Sequence, residues 1–356
     1  MRQVFGPGSM PLSRIMGGLV LLGGLALLGG MLWQVGLAGL RASFQALGPW
    51  VVPFLLLDSI SLLLHTVGWA ACFQRHQLRL RLWQLCLVRM AGNAINRVTP
   101  TADLGGEVVK VMLLTSALPQ AQAVATVLID KASIALAQMG YLTLGTLYLT
   151  GHLPLPVGVQ RGVRLSMGLI LLGLVGFVAF QRYGLLSKLV RGLGCLNIRQ
   201  ARLHQLSQRL APLDAHLVAY YTAHPWRFGL SWLLHFLAFA FDGIQTYILL
   251  RLLLGEHAPS FAQAIMVAIA VAALEQMFFF VPGSLGTLEM SRFKTLSFLG
   301  VDDGHIVAFA LIMRLHNLFW NGLGLLAYAL CTHRAVLPQA PQSVARPSAA
   351  APPPGC

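Results

Sequence analysis

Charge is the scarcest property of this chain. Of 356 residues only 10% are charged and only 11 are acidic, against the roughly 25% charged residues of ordinary soluble domains. Nor is there chemistry of the familiar soluble kinds. The five cysteines, Cys72, Cys86, Cys195, Cys331 and Cys356, form no Cys-x-x-Cys pair and no Cys/His spacing suited to zinc, which excludes a disulfide framework and a structural metal. No Walker or Rossmann fingerprint and no His-Glu-x-x-His is present, so ATP, dinucleotides and zinc hydrolysis are not indicated, and no cofactor is expected. Serine and cysteine residues have no identifiable base partner. The net charge of +14 is carried by Lys and Arg in short connections, without a basic soluble module, so nucleic acid is not expected as a partner.

What is present is apolar sequence, 56% of the chain, with mean hydropathy +0.71. A bilayer span needs about 20 apolar residues. Six stretches qualify, near 15–37, 48–73, 121–150, 163–181, 228–254 and 304–331. The first follows Arg2 and Arg14 and is too long for a signal-peptide core, so it reads as a retained span. Two more apolar segments, 83–117 and 261–300, are each interrupted by a proline-glycine motif. Broken backbone at membrane depth is tolerated only under cover of protein or a water-filled cavity, so these read as re-entrant hairpins. The fold class expected is an all-α integral membrane protein with six to eight transmembrane helices and two broken hairpins.

Positive charge sets orientation. The 182–227 connection, with Arg182, Lys188, Arg191, Arg199, Arg202, Arg209 and Arg227, belongs in the cytoplasm, and with it the N-terminus. Six spans plus two hairpins from opposite faces bring Arg334 and Arg346 inside as well; the alternative is eight full spans with the C-terminus outside. Leu203, Leu206, Leu210, Leu213 and Leu217 predict an amphipathic helix on the membrane surface, kinked or divided at Pro212. Residues 338–356, rich in Pro, Ala and Ser, read as a disordered tail after a membrane domain over 1–337.

The interrupting motifs are alike. Pro100-Thr101-Ala102-Asp103-Leu104-Gly105-Gly106-Glu107 and Pro282-Gly283-Ser284-Leu285-Gly286-Thr287-Leu288-Glu289 each put a carboxylate seven residues after a proline. Asp58 and Asp242 precede the two motifs, and Asp130-Lys131 and Arg314 follow them, at nearly matching distances. Blocks near 48–150 and 228–331 thus share one layout and, on this topology, cross the membrane in opposite senses, an inverted repeat. Such repeats gather substrate groups near the midplane. Proline ends a helix, glycine lets backbones approach, and the next residues start a half-helix with free N–H groups. Glu107 and Glu289 fall in its first turn, where each either caps its own helix or handles a charged group during transport. Lys131 and Arg314 lie within spans, where unpaired charge is expensive. Arg97 and Lys110 could equally snorkel to an interface. Asn96 offers an amide beside the first motif, more in the manner of a helix-helix hydrogen bond than of a ligand. His65, His235 and His316 are read as packing residues.

The run Asn93-Ala94-Ile95-Asn96-Arg97-Val98-Thr99-Pro100 through Gly105-Gly106-Glu107-Val108-Val109-Lys110, with Asp130-Lys131 and Val281-Pro282-Gly283-Ser284-Leu285-Gly286-Thr287-Leu288-Glu289, resembles the lysylphosphatidylglycerol synthase transmembrane (flippase-like) family over roughly residues 15–331. Many members carry Pro-Gly-Arg-x-Gly-Glu in the first motif. The longer gap and the Gly-Gly-Glu-Val-Val here are closer to the subgroup associated with hopanoid biosynthesis. The resemblance implies movement of an amphipathic lipid, a hopanoid or a modified phospholipid, between leaflets of a bacterial inner membrane. Glu107, Glu289, Asp130 and Arg314 would line or gate a central cavity, with Pro100, Gly105, Gly106, Pro282, Gly283, Gly286, Lys131, Asn96, Arg97, Asp58 and Asp242 around it. Lysyl-transferring members place their chemistry in a soluble C-terminal domain; only a short tail follows Leu330, so aminoacyl transfer is not expected. Two other roles stay open: recruitment of lipid-biosynthetic enzymes through the 182–227 connection, or intramembrane modification of a lipid headgroup.

Overall fold

The computed structural model describes residues 45–74, 80–99, 104–152, 157–185, 200–277 and 287–333, with Trp33, Ala38 and Arg41 besides. Among them there are ten α-helices and no strand: α1 (Val51–Ala71), α2 (Leu82–Val98), α3 (Gly105–Leu114), α4 (Gln120–His152), α5 (Val157–Arg182), α6 (Gln200–Ala223), α7 (Pro225–Leu254), α8 (Phe261–Met277), α9 (Thr287–Phe298) and α10 (Asp303–His333). Local chemistry sets several ends. Pro225 opens α7 at a position whose N–H has no helical partner to lose, and Gly255, at φ 58°, closes it.

Five of the helices, α1, α4, α5, α7 and α10, are long and apolar enough to cross a membrane. They coincide with five of the six stretches read from the sequence; the sixth, 15–37, lies outside the described residues except for Trp33, as does the 338–356 tail. The burial pattern is that of a protein in lipid. On α1, Val52, Leu56, Ile60, Leu63 and Val67 are exposed along one face, while Ser61, Thr66, Arg89, Lys110, Asp130, His235 and Gln245 are buried inside. The chain is an all-α, multi-pass membrane protein.

The two interrupted segments form short helix pairs, α2 with α3 and α8 with α9. The first pair packs largely on the other half of the molecule, with α2 along α10; in the second, α8 lies against α7 of its own half and also touches α4, while α9 packs on α10. Both crossings use a glycine on the long span. A Cβ on Gly324 of α10 would come within 2.6 Å of the Met90 carbonyl and of Ala94 on α2, and one on Gly145 of α4 would collide with Ile269 on α8. Small residues bring helix backbones close where lipid supplies no hydrophobic drive. Down the middle, α1 packs against α7.

The helix α6 corrects one expectation. It forms, but it runs on through Pro212 instead of being divided there. Its second half turns one face into the protein: Leu213, Leu217, Tyr220 and Tyr221 are buried in the core shared with Trp69, Phe73 and Leu85, while Ala215 and Ala219 stay exposed. The Tyr220 hydroxyl donates to the Ala71 carbonyl at 3.2 Å. Of the leucine spacing read as a surface stripe, Leu213 and Leu217 serve protein packing.

Candidate functional site

Both hairpins place their glutamate in the first turn of the second short helix, Glu107 in α3 and Glu289 in α9. Each glutamate meets a cation from the long span that follows. Lys131 on α4 lies 3.5 Å from Glu107 Oε1, and Arg314 on α10 lies 3.0 Å from Glu289 Oε1. A second cation stands one helical turn further along the same short helix, Lys110 in α3 and Arg292 in α9, both buried. The matched register of Glu107 with Lys110 and of Glu289 with Arg292 could have been read from the sequence, because residues three apart share a helix face.

In the first half the charged side chains Glu107, Lys110, Arg89 and Asp130 each have an ion-pair partner, although Glu107 Oε2 is buried without a hydrogen bond. Lys110 Nζ donates to Glu107 Oε1 at 3.2 Å, so it is no snorkelling residue, and it stands 5.8 Å from the centre of the Trp69 ring. Arg89 lies over the same ring at 5.7 Å and pairs with Asp130 at 3.2 Å, with both side chains buried. An aromatic face attracts such desolvated cations. Asp130 therefore pairs with Arg89 on α2 and with His235 on α7, whose Nε2 lies 3.1 Å away. His235 Nδ1 is in turn 2.8 Å from His65 Nδ1, so this network links α1, α2, α4 and α7. The approach depends on Gly68: a Cβ there would stand 2.8 Å from the His235 ring. The reading of His65 and His235 as hydrogen-bonded packing residues fits this geometry, and His316 meets Gln245 at 3.0 Å.

Hairpin α2–α3 is drawn tight by its own glycines. The Gly106 N–H, left without a helical partner in the first turn of α3, donates to Asn96 Oδ1 at 2.5 Å. A Cβ on Gly106 would run into the Gly92 carbonyl, and one on Gly92 would meet Lys110 at 2.6 Å. Gly105 is the first residue of α3. Thr99 at the end of α2 is extended, φ −115° and ψ 136°, as a residue before proline prefers. Pro100, Pro282, Gly283 and Gly286 lie outside the described residues.

The two hairpins meet where each is broken. Arg97, in the last turn of α2, pairs with Glu275 near the end of α8 at 2.9 Å. Asp58 on α1 and Asp242 on α7 lie within electrostatic range of Arg97 and of each other, and Glu275 acts on Asp242. Arg292 feels Glu275, Glu289, Arg97 and Arg314 together. The sequence-derived residues thus separate into two groups. Asp130, Lys131 and Glu107 belong to the first-half network; Arg97, Asp58, Asp242, Glu289 and Arg314 gather near the hairpin ends. Glu275 had escaped notice although its signal is plain, one of only 11 acidic residues set in an otherwise apolar helix. Among the described residues no group of three or more His, Cys, Asp or Glu side chains is arranged to hold a metal ion.

Residues 15–324 match the family model described as the lysylphosphatidylglycerol synthase TM region. The chain belongs to this family. No curated protein and no solved structure matches it significantly. Membership associates the helical core described above with membrane lipids, and the matched range takes in both hairpins, α1, α4, α7 and the greater part of α10.

Proposed function

We propose that the protein moves an amphipathic lipid between the leaflets of a bacterial inner membrane, with the two hairpin motifs as its moving polar site. The observation that carries this reading is the meeting of the hairpin ends through Arg97 and Glu275, with Asp58 and Asp242 close by. Charged groups held inside an apolar bundle are costly unless a function retains them. Interrupted helices that converge from two halves of a fold offer a polar headgroup a passage while its tails stay in lipid.

The short helices α2 and α8 each cross onto the other half, at α10 and at α4, which supports a repeat with halves near 48–150 and 228–331 in opposite orientations. Rocking one half against the other would lengthen or shorten the Arg97–Glu275 contact and expose the centre to each side in turn. The cargo on this reading is a hopanoid or a modified phospholipid. No bond of the lipid is made or broken, and no cofactor takes part.

The test is leaflet exchange of labelled lipids, a phospholipid and a hopanoid among them, in liposomes holding the purified protein. Exchange faster than in empty liposomes, with the lipid recovered unaltered, is the expected outcome. A chemically altered lipid would favour a headgroup-modifying enzyme. Protein that is folded and moves none of the lipids, but retains biosynthetic enzymes through the 182–227 connection, would favour recruitment.

A further inference from the structure

We infer that Arg292 in α9 is the receptor for the anionic group of the transported lipid, a phosphate or carboxylate. The inference deepens the transport reading and rests on it for the identity of the ligand as a lipid.

The argument is one of accounting for charge. Four charged side chains act electrostatically on Arg292: Arg97, Arg314, Glu275 and Glu289. Each glutamate is engaged by its own arginine, Glu275 by Arg97 at 2.9 Å and Glu289 by Arg314 at 3.0 Å. Arg292 makes no ion pair among the described residues. It is 5% exposed, and its Nη1 is buried with no hydrogen-bond partner. A guanidinium presents five N–H donors in a planar fork suited to carboxylate and phosphate oxygens, and it cannot discharge itself by losing a proton. Buried and unpartnered, such a group is costly. Lys110, its counterpart in the first hairpin, is equally buried but bonded to Glu107 at 3.2 Å. The same position in two similar hairpins therefore carries a satisfied cation in one and an unsatisfied cation in the other. One incoming monoanion would supply the missing partner and bring the five-residue group to neutrality.

Glu275 and Glu289, the carboxylates that act on Arg292, are each in an ion pair with another arginine. Arg314, 7% exposed, stands on the adjoining span as a second positive wall. His316 and Gln245, bonded to each other at 3.0 Å, add polar groups; His316 lies within range of Arg292.

The experiment uses the full chain in non-ionic detergent and three probes: short-chain phosphatidylglycerol, the matching diacylglycerol without phosphate, and inorganic phosphate. Wild-type protein is expected to bind phosphatidylglycerol more tightly than diacylglycerol. Arg292→Gln should weaken phosphatidylglycerol by roughly tenfold or more, the loss of a charge-assisted hydrogen bond, with diacylglycerol unaffected. Without ligand, Arg292→Gln and Arg292→Met should melt no lower than wild type, because they remove an uncompensated buried charge.

Equal binding of phosphatidylglycerol by wild type and Arg292→Gln would overturn the inference. So would failure of both variants to fold, which would make Arg292 part of the fold. Inorganic phosphate binding as tightly as phosphatidylglycerol would overturn the lipid headgroup as its ligand. Arg292-dependent binding in a protein that moves no lipid would keep the site and remove the transport reading; lipid movement without Arg292-dependent binding would do the reverse.

Discussion

The two hairpins share a motif but differ in how their charges are settled. In α2–α3, Glu107 takes Lys110 and Lys131 on one oxygen, and the neighbouring Asp130 takes Arg89 and His235. The Glu107 side chain is 13% exposed and the Asp130 side chain 2%. In α8–α9, Glu289 is 32% exposed against Arg314, and Arg292 has an unpartnered nitrogen. The lesson is that similar motifs in two halves need not share a task. The first hairpin is clamped, through tight glycine contacts and a buried network spanning four helices. The second retains unsatisfied charge. A fold of two related halves that carries a polar cargo would use one as anchor and the other as receptor.

The largest expected effect breaks the anchor. Asp130→Ala leaves Arg89 as a buried, unpaired cation, and removing one member of such a pair costs roughly 3–5 kcal/mol. A loss of folded yield and melting temperature should follow. Adding Arg89→Met should restore much of it, because the charge left stranded is then gone. Next comes the hairpin backbone. Gly106→Ala would press a methyl onto the Gly92 carbonyl and onto Asn96, with overpacking costs of about 1–3 kcal/mol, again read from thermal melting.

The comparison is sharpened by the paired glutamates. Glu107→Gln strips the counter-charge from buried Lys110, and Glu289→Gln strips it from buried Arg314, but at a glutamate 32% exposed to solvent; both should lower melting, Glu107→Gln by more. Melting curves of the two variants side by side test this. Equal losses would erase the distinction between anchor and receptor.

The smallest effect concerns the long helices that follow the hairpins. Asp302, in the turn before α10, accepts the N–H groups of Gly304 at 3.1 Å and His305 at 3.2 Å. The His305 side-chain hydrogen bond, then the backbone ones, hold its carboxyl below the usual carboxylate range. A carboxylate with a depressed folded pKa stabilises the helix start above its unfolded value, and that contribution fades as pH falls through the folded value. Below about pH 4, hydrogen exchange in the first turn of α10 should quicken relative to that of α4, where Ala123 N–H bonds the Pro119 carbonyl.

Much of this was legible in the sequence. Span length and hydropathy located five membrane-crossing helices and both hairpins, because these depend on local composition. The Glu289–Arg314 pair could be anticipated from charges that a bilayer will not leave alone. What could not be read are the partners set by helix crossings. Nothing local says that Asp130 meets Arg89 and His235, or that Arg97 meets Glu275, since those contacts join distant segments. The burial of α6 is of the same kind: its stripe of leucines reads alike for a lipid surface and for the packed core that Leu217 and Tyr220 enter. Arg292 was visible as a charge beside a hairpin, but only the engagement of its neighbours left it distinct.

The most direct test of the central claim is the rate of leaflet exchange of a labelled anionic phospholipid by Glu289→Gln protein, reconstituted at the same density as wild type. The account predicts a melting temperature above that of Glu107→Gln protein and an exchange rate lower by about tenfold or more, as expected when the ion pair that ties the second hairpin to α10 is lost. An exchange rate equal to wild type, in protein shown to be folded, would contradict it.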